Sequence, residues 1–115
     1  MFEDCLFCKI ANGIIPVEKV YEKNNVIGFR DINPLAPIHL LFIHKNHTKD
    51  LNDICINDSN GLMELMNAIG EYSQKNGLKE SGYRVVSNIG KSSGQSIFHT
   101  HFHVLSGQRL GKFGT

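Results

Sequence analysis

The 115-residue chain has no excess of charge of either sign, with 12 Lys and Arg against 11 Asp and Glu. It therefore offers no basic field for nucleic acid and no acidic tail for a basic partner. It also lacks an apolar run long enough for a signal peptide or a membrane span, and its start, Met1-Phe2-Glu3-Asp4-Cys5, is acidic. A soluble, cytoplasmic protein with no membrane contact is the expectation. Cysteine is scarce and odd in number, three residues, which argues against the disulfide framework of a small secreted protein. Internal repeats and low-complexity segments are absent, and the length suits one domain over residues 1–115.

What is present alternates short strand-like runs with one long helical stretch. Phe2, Leu6 and Ile10 lie at helical spacing in a short helix over about 3–12, which Gly13 can stop. Residues 17–21 and 26–31 read as strands of a hairpin turned by Lys23-Asn24-Asn25, and 38–43 as a central strand. Asp58-Ser59 caps a long helix whose apolar stripe is Leu62, Leu65, Met66, Ile69 and Tyr72, ending before Gly77. Residues 83–89 and 98–105 supply two more strands, and the glycine-rich segment 106–115 reads as a flexible tail. The whole predicts an α+β domain with a mainly antiparallel five-stranded sheet, one long helix and a short N-terminal helix.

Three of the six histidines occupy alternate positions in His99-Thr100-His101-Phe102-His103. On a strand they would share one face, leaving Phe98, Phe102 and Val104 on the other. A row of imidazoles suits metal ligation or the handling of a phosphate-like anion. Three rings spaced about 6.5–7 Å apart cannot all attack one phosphorus atom, so the middle one, His101, is the natural nucleophile. The preceding Gly94-Gln95-Ser96 can offer backbone N–H groups and a hydroxyl to phosphate oxygens. Cys5-x-x-Cys8 is a zinc half-site, a pair of packed thiols or, least in keeping with its context, a redox pair. Cys55 and His44 read as structural or solvated.

The segment from Gly94 to Leu105 resembles the signature of the histidine triad (HIT) family, HINT branch, in which histidines alternate with apolar residues. The segment Phe29-Arg30-Asp31-Ile32-Asn33-Pro34-Leu35-Ala36-Pro37-Ile38-His39 is similar to the family's other hallmark. Together with residues 5–16, the likeness covers nearly the whole chain. Thr100 departs from the apolar pattern, and the chain has no Trp.

The resemblance implies a HIT-like fold and a hydrolase or transferase of purine nucleoside 5′-phosphoramidates or related nucleotidyl conjugates. Nucleotidyl-His101 would form and water would release AMP or GMP, with His103, Ser96 and His39 assisting. Asp31 would take the ribose hydroxyls, and Leu6, Phe7, Ile10, Ile15, Phe29, Ile32 and Leu41 would form the base slot. Asn88, Gly94, Gln95, Ser96 and His103 would surround the α-phosphate. No cofactor is needed for that chemistry. Zinc-carrying relatives imply a structural zinc on Cys5, Cys8, His47 and His99, and family members commonly form homodimers. The competing expectations are a nucleotide-sensing or protein-interaction module, and a hydrolase whose three histidines hold a catalytic ion with Asp31.

Overall fold

The computed structural model describes residues 4–112. Helix α1 (Leu6–Ala11) begins later than the spacing suggests, because the Cys5 side chain caps it by accepting from the Cys8 N–H. Glu3 and Phe2 lie outside the described residues. The helix stops at Asn12, and Gly13 takes the left-handed φ of 75° that lets the last carbonyls be capped.

Strands β1 (Lys19–Lys23) and β2 (Val26–Arg30) form the expected hairpin. Lys23 pairs with Val26 around a two-residue turn in which Asn24 holds φ 56°. Strand β3 (Ile38–His44) follows, then α2 (Leu51–Asn57), α3 (Ser59–Lys75), α4 (Leu78–Ser81), β4 (Arg84–Val86) and β5 (His101–Ser106). The sheet is antiparallel throughout, in the order β1-β2-β3-β5-β4.

Period-two alternation assigns the two faces. Val26, Leu40, Phe42, Phe102 and Val104 pack under α3 with Leu65, Ala68 and Ile69. Ile27, Phe29, Leu41 and Ile43 turn the other way and pack with Phe7 and Ile10 of α1. Strand β3 is therefore buried on both sides, which is why its sequence is an apolar run rather than an alternation. Gly28 of β2 lies so close to the Phe42 ring that an added Cβ would sit 2.8 Å from it. In the expected α3 stripe Leu65 and Ile69 are buried, whereas Met66 is 40% exposed; Met63, outside the stripe, is 62% exposed.

Strand boundaries differ from the sequence reading most in β1, which covers 19–23 rather than 17–21, in β4 and in β5. Strand β4 stops at Val86, beyond which the Ser87 hydroxyl donates to the His101 carbonyl at 2.8 Å. Strand β5 starts at His101, not Phe98, because Thr100 pairs instead with the loop after β3. Its N–H donates to the Thr48 carbonyl at 2.8 Å and its hydroxyl meets that of Thr48 at 2.7 Å. No helix among the described residues is long and apolar enough to cross a membrane.

Candidate active site and metal centre

Antiparallel register brings the chemical side chains to the α1 face of the sheet. His101 lies opposite Ile43, His103 opposite Leu41 and Val86, and His39 opposite Leu105. Residues facing one another across a ladder share a face, so His39, His101 and His103 join the Phe7 side of the molecule. The His101 and His103 ring centroids are 5.2 Å apart, and those of His39 and His103 also 5.2 Å. The edge of Phe7 meets His101 at 4.9 Å between centroids.

Hydrogen bonds to backbone groups fix where the protons sit. His101 Nδ1 is 2.7 Å from the His99 carbonyl, which can only accept, so Nδ1 carries the hydrogen and Nε2 keeps a free lone pair. The Leu35 N–H, which can only donate, reaches His39 Nδ1 at 3.0 Å, so the neutral His39 ring carries its hydrogen on Nε2. That N–H donates to His103 Nδ1 at 2.9 Å, which leaves His103 with a donor at Nε2. The row thus pairs a nucleophilic nitrogen on His101 with a hydrogen-bond donor on His103. Burial pulls the His101 pKa down against the opposing effects of the His99 carbonyl and Asp31. Burial, then the charges of His101 and His39, pull His103 down to about 4. Both rings are neutral near pH 7.

Asp31 sits beside this row, with Oδ2 3.5 Å from His39 Nε2 and Oδ1 accepting from the Asn33 N–H at 2.8 Å. Phe7, Ile10, Phe29 and Leu41 form one buried apolar cluster with Ile15 packed against it. Leu6 and Ile32 stand outside that cluster, 40% and 89% exposed. In the loop, Gly94 N–H bonds the Lys91 carbonyl and Gln95 N–H the Gly90 carbonyl. The buried Gln95 amide reaches Lys49 and Ile97 carbonyls. The loop is therefore braced by its own donors, with Gly94 and Ser96 exposed on either side of the buried Gln95. Asn88, half-buried, lines a cavity of about 630 Å³ with His39 and His103.

His99 parts from the row. Its Nδ1 lies 3.3 Å from Cys5 Sγ and 3.4 Å from Cys8 Sγ, while Cys8 Sγ is 3.2 Å from His47 Nδ1. All four donor atoms lie within 4.8 Å of one another. Ligands on a tetrahedral zinc at bond lengths of about 2.0–2.3 Å stand about 3.3–3.8 Å apart, so the cluster could hold such an ion with little adjustment. The His99 Nε2–H donates to the His44 carbonyl at 2.8 Å, which leaves the Nδ1 lone pair aimed at the thiols. Burial, then the hydrogen bond and charge of Cys5, push the Cys8 thiol up to about 12, and burial pulls His99 down to about 4. A cation among them would reverse the cost of ionising the thiols.

The expectation that three aligned histidines share one catalytic ion does not fit this geometry, since His99 faces the cysteines. Asp31, His39 and His103 do converge. The Leu35 N–H, however, keeps a hydrogen on the His39 nitrogen that such an ion would need. Three contributors escaped sequence reasoning: the Leu35 N–H, the His99 carbonyl and the Ser87 hydroxyl. The first two are backbone groups that no residue type announces. Ser87 was detectable only as the hydroxyl just past the apolar β4 run.

The HIT domain family matches residues 12–110. Purine nucleoside phosphoramidase of Escherichia coli strain K12 is 34% identical over 111 residues, covering 96% of this chain and 93% of that protein. A histidine triad protein from Clostridium difficile superposes with a TM-score of 0.92 at 39% identity, covering 98% of both chains. A HIT family hydrolase from Clostridium thermocellum gives 0.91 at 36% identity over the full length of both. The alternating histidines, the five-stranded sheet that carries them and these likenesses make the chain a member of the HIT domain family.

Proposed function

We propose that the protein hydrolyses purine nucleoside 5′-phosphoramidates and related nucleotidyl conjugates through a covalent nucleotidyl-His101. The observation that carries this reading is the 2.7 Å bond from His101 Nδ1 to the His99 carbonyl, which leaves Nε2 as a neutral, oriented nucleophile. The Nε2 lone pair forms a bond to phosphorus as the P–N bond to the leaving group breaks. The departing nitrogen takes that bond's electron pair and a proton from solvent. Water then adds to phosphorus, the electron pair returns to Nε2, a proton is released and the nucleoside monophosphate leaves.

The His103 Nε2–H is the donor available to a phosphoryl oxygen, and His39 fixes it there. Ser96 and Asn88 complete the phosphate site, the Gly94 and Gln95 N–H groups being engaged by the Lys91 and Gly90 carbonyls. Asp31 takes the ribose hydroxyls, since a carboxylate accepts from both members of a vicinal diol. The cluster of Phe7, Ile10, Ile15, Phe29 and Leu41 receives the base, with Leu6 and Ile32 closing over it from their exposed positions. Cys5, Cys8, His47 and His99 hold a structural zinc that ties α1 to the sheet. The name of the Escherichia coli relative supports the reaction class. A homodimer through the exposed α3 face and the β4 edge is part of the same reading.

Phosphorus NMR of the protein with adenosine 5′-phosphoramidate, run beside His101→Ala, tests the proposal. AMP release by the native chain alone is the expected result. Turnover that survives in His101→Ala, or no turnover by either protein, overturns it.

A further inference from the structure

One side of the histidine row is unaccounted for by the chemistry above. The cavity of about 630 Å³ that contains His39, His103 and Asn88 continues past them to Arg84, Gln108 and Leu110. Register explains why Arg84 belongs there. It lies opposite Leu105, as Val86 lies opposite His103, so its side chain leaves the sheet on the histidine face. Its Nη2 donates to the Gly111 carbonyl at 2.6 Å, which orients the guanidinium and draws the segment after β5 across the cavity.

The charges around it are one-sided. None of the residues lining the cavity is an Asp or Glu. Lys19, Lys23, Arg30, Lys45 and Lys75 each have a carboxylate within 4.0 Å, whereas Arg84 has none among the described residues. A guanidinium has five N–H donors, and only one is engaged by Gly111. The amides of Asn88 and Gln108 face the same space as further neutral donors. A half-enclosed space rich in donors, carrying one cation and no anion, is complementary to an anion. The planar fork of Arg matches a carboxylate in two parallel bonds.

We propose that this cavity is the leaving-group subsite and that Arg84 selects conjugates whose leaving group carries a carboxylate, such as amino acids joined to the phosphate through nitrogen. The idea rests on the hydrolase reading above for its phosphorus chemistry, but the subsite can be tested apart from it. The cavity's contact with His103 sets the direction. A group departing from a phosphate held beside His103 would enter the space that Arg84 also lines, and its volume of about 630 Å³ admits a small amino acid.

The test compares the full chain on two adenosine 5′-phosphoramidates, one bearing glycine on nitrogen and the other glycine methyl ester. The free acid should be preferred in kcat/KM by about tenfold or more, the usual worth of a charge-assisted pair in a partly enclosed site. Arg84→Gln should bring that ratio to about one, and Arg84→Glu should invert it, which loss of tail packing alone would not do. A ratio near one in the native chain overturns the proposal, as does a preference that persists in Arg84→Gln. If neither conjugate is turned over, the hydrolase reading fails and binding decides the subsite. Calorimetry should then show the free acid bound more tightly by the native chain and equally with its ester by Arg84→Gln. Equal affinity of the two in the native chain overturns the proposal in that case too.

Discussion

The proton positions in the histidine row are set by backbone groups on either side of it, and this makes His103 sensitive to its surroundings. Burial, His101 and His39 hold its pKa down to about 4, with Asp31 acting the other way. A histidine whose native value lies below the unfolded value of about 6.5 binds fewer protons when folded, so acidification favours the unfolded chain. Its contribution is therefore intact above about pH 6.5 and is lost as pH falls toward 4, at about 1.4 kcal/mol per unit within that window. Ring nitrogen NMR should find His103 neutral at pH 5.5, where a free imidazole is mostly protonated. In urea melts, His103→Gln should lose stability less steeply than the native chain between pH 6.5 and 4.5, by about 1 kcal/mol or more over that interval. A His103 that titrates near 6.5 contradicts this account. His101 and His103 were legible as a pair because alternation on a strand is a sequence property, whereas His99 precedes the strand and turns to the thiols. The tautomers were not, because the His99 carbonyl and the Leu35 N–H that set them are common to every residue.

Helix α1 shows how a six-residue element can matter more than its length allows. So short a helix is not stable by itself, and this one is held by its cap, by Phe7 and Ile10 in the second core, and by two thiols at the His47 and His99 rings. Because Phe7 also meets His101, holding the thiols holds the ring packed against His101. Purified protein should therefore carry about one zinc per chain, as the four-ligand set implies. Stripping it with a strong chelator should speed amide exchange across 6–11 and lower Tm by about 5 °C or more, the shift that about 1 kcal/mol gives in a domain of this size. Absence of bound metal, or α1 exchange indifferent to the chelator, would count against the centre. Other elements differed in how openly they showed. The hairpin announced itself through Asn24-Asn25, and α3 through its cap and stripe. Helix α2 went unread because it buries a single residue, Ile54, and so has no apolar period to display. Cys55, expected near a loop, lies exposed on that helix.

The molecule as a whole is a sheet covered unequally. Helix α3 fills one face, α1 and the histidine row fill the other, and the side of α3 away from the sheet keeps Met63 62% and Met66 40% exposed. Beyond the sheet's last pairing, β4 offers its outer edge with Val85 40% exposed. Unpaired strand edges next to exposed apolar side chains are places where soluble proteins associate, and a twofold axis there would join two sheets and two long helices at once. Such an interface would bury these side chains at about 25 cal/mol per Å² of apolar surface, and charges placed in it would oppose its formation. Sedimentation velocity should show a dimer for the native chain and a monomer for Met63→Lys with Met66→Lys, the far-UV spectrum being unchanged because neither residue is in the core. The metal content should survive that change, since the thiols and their histidines lie on the opposite face of the sheet from α3. A native chain that sediments as a monomer at high concentration, or a doubly substituted chain that still dimerises, would remove the α3 face from the interface.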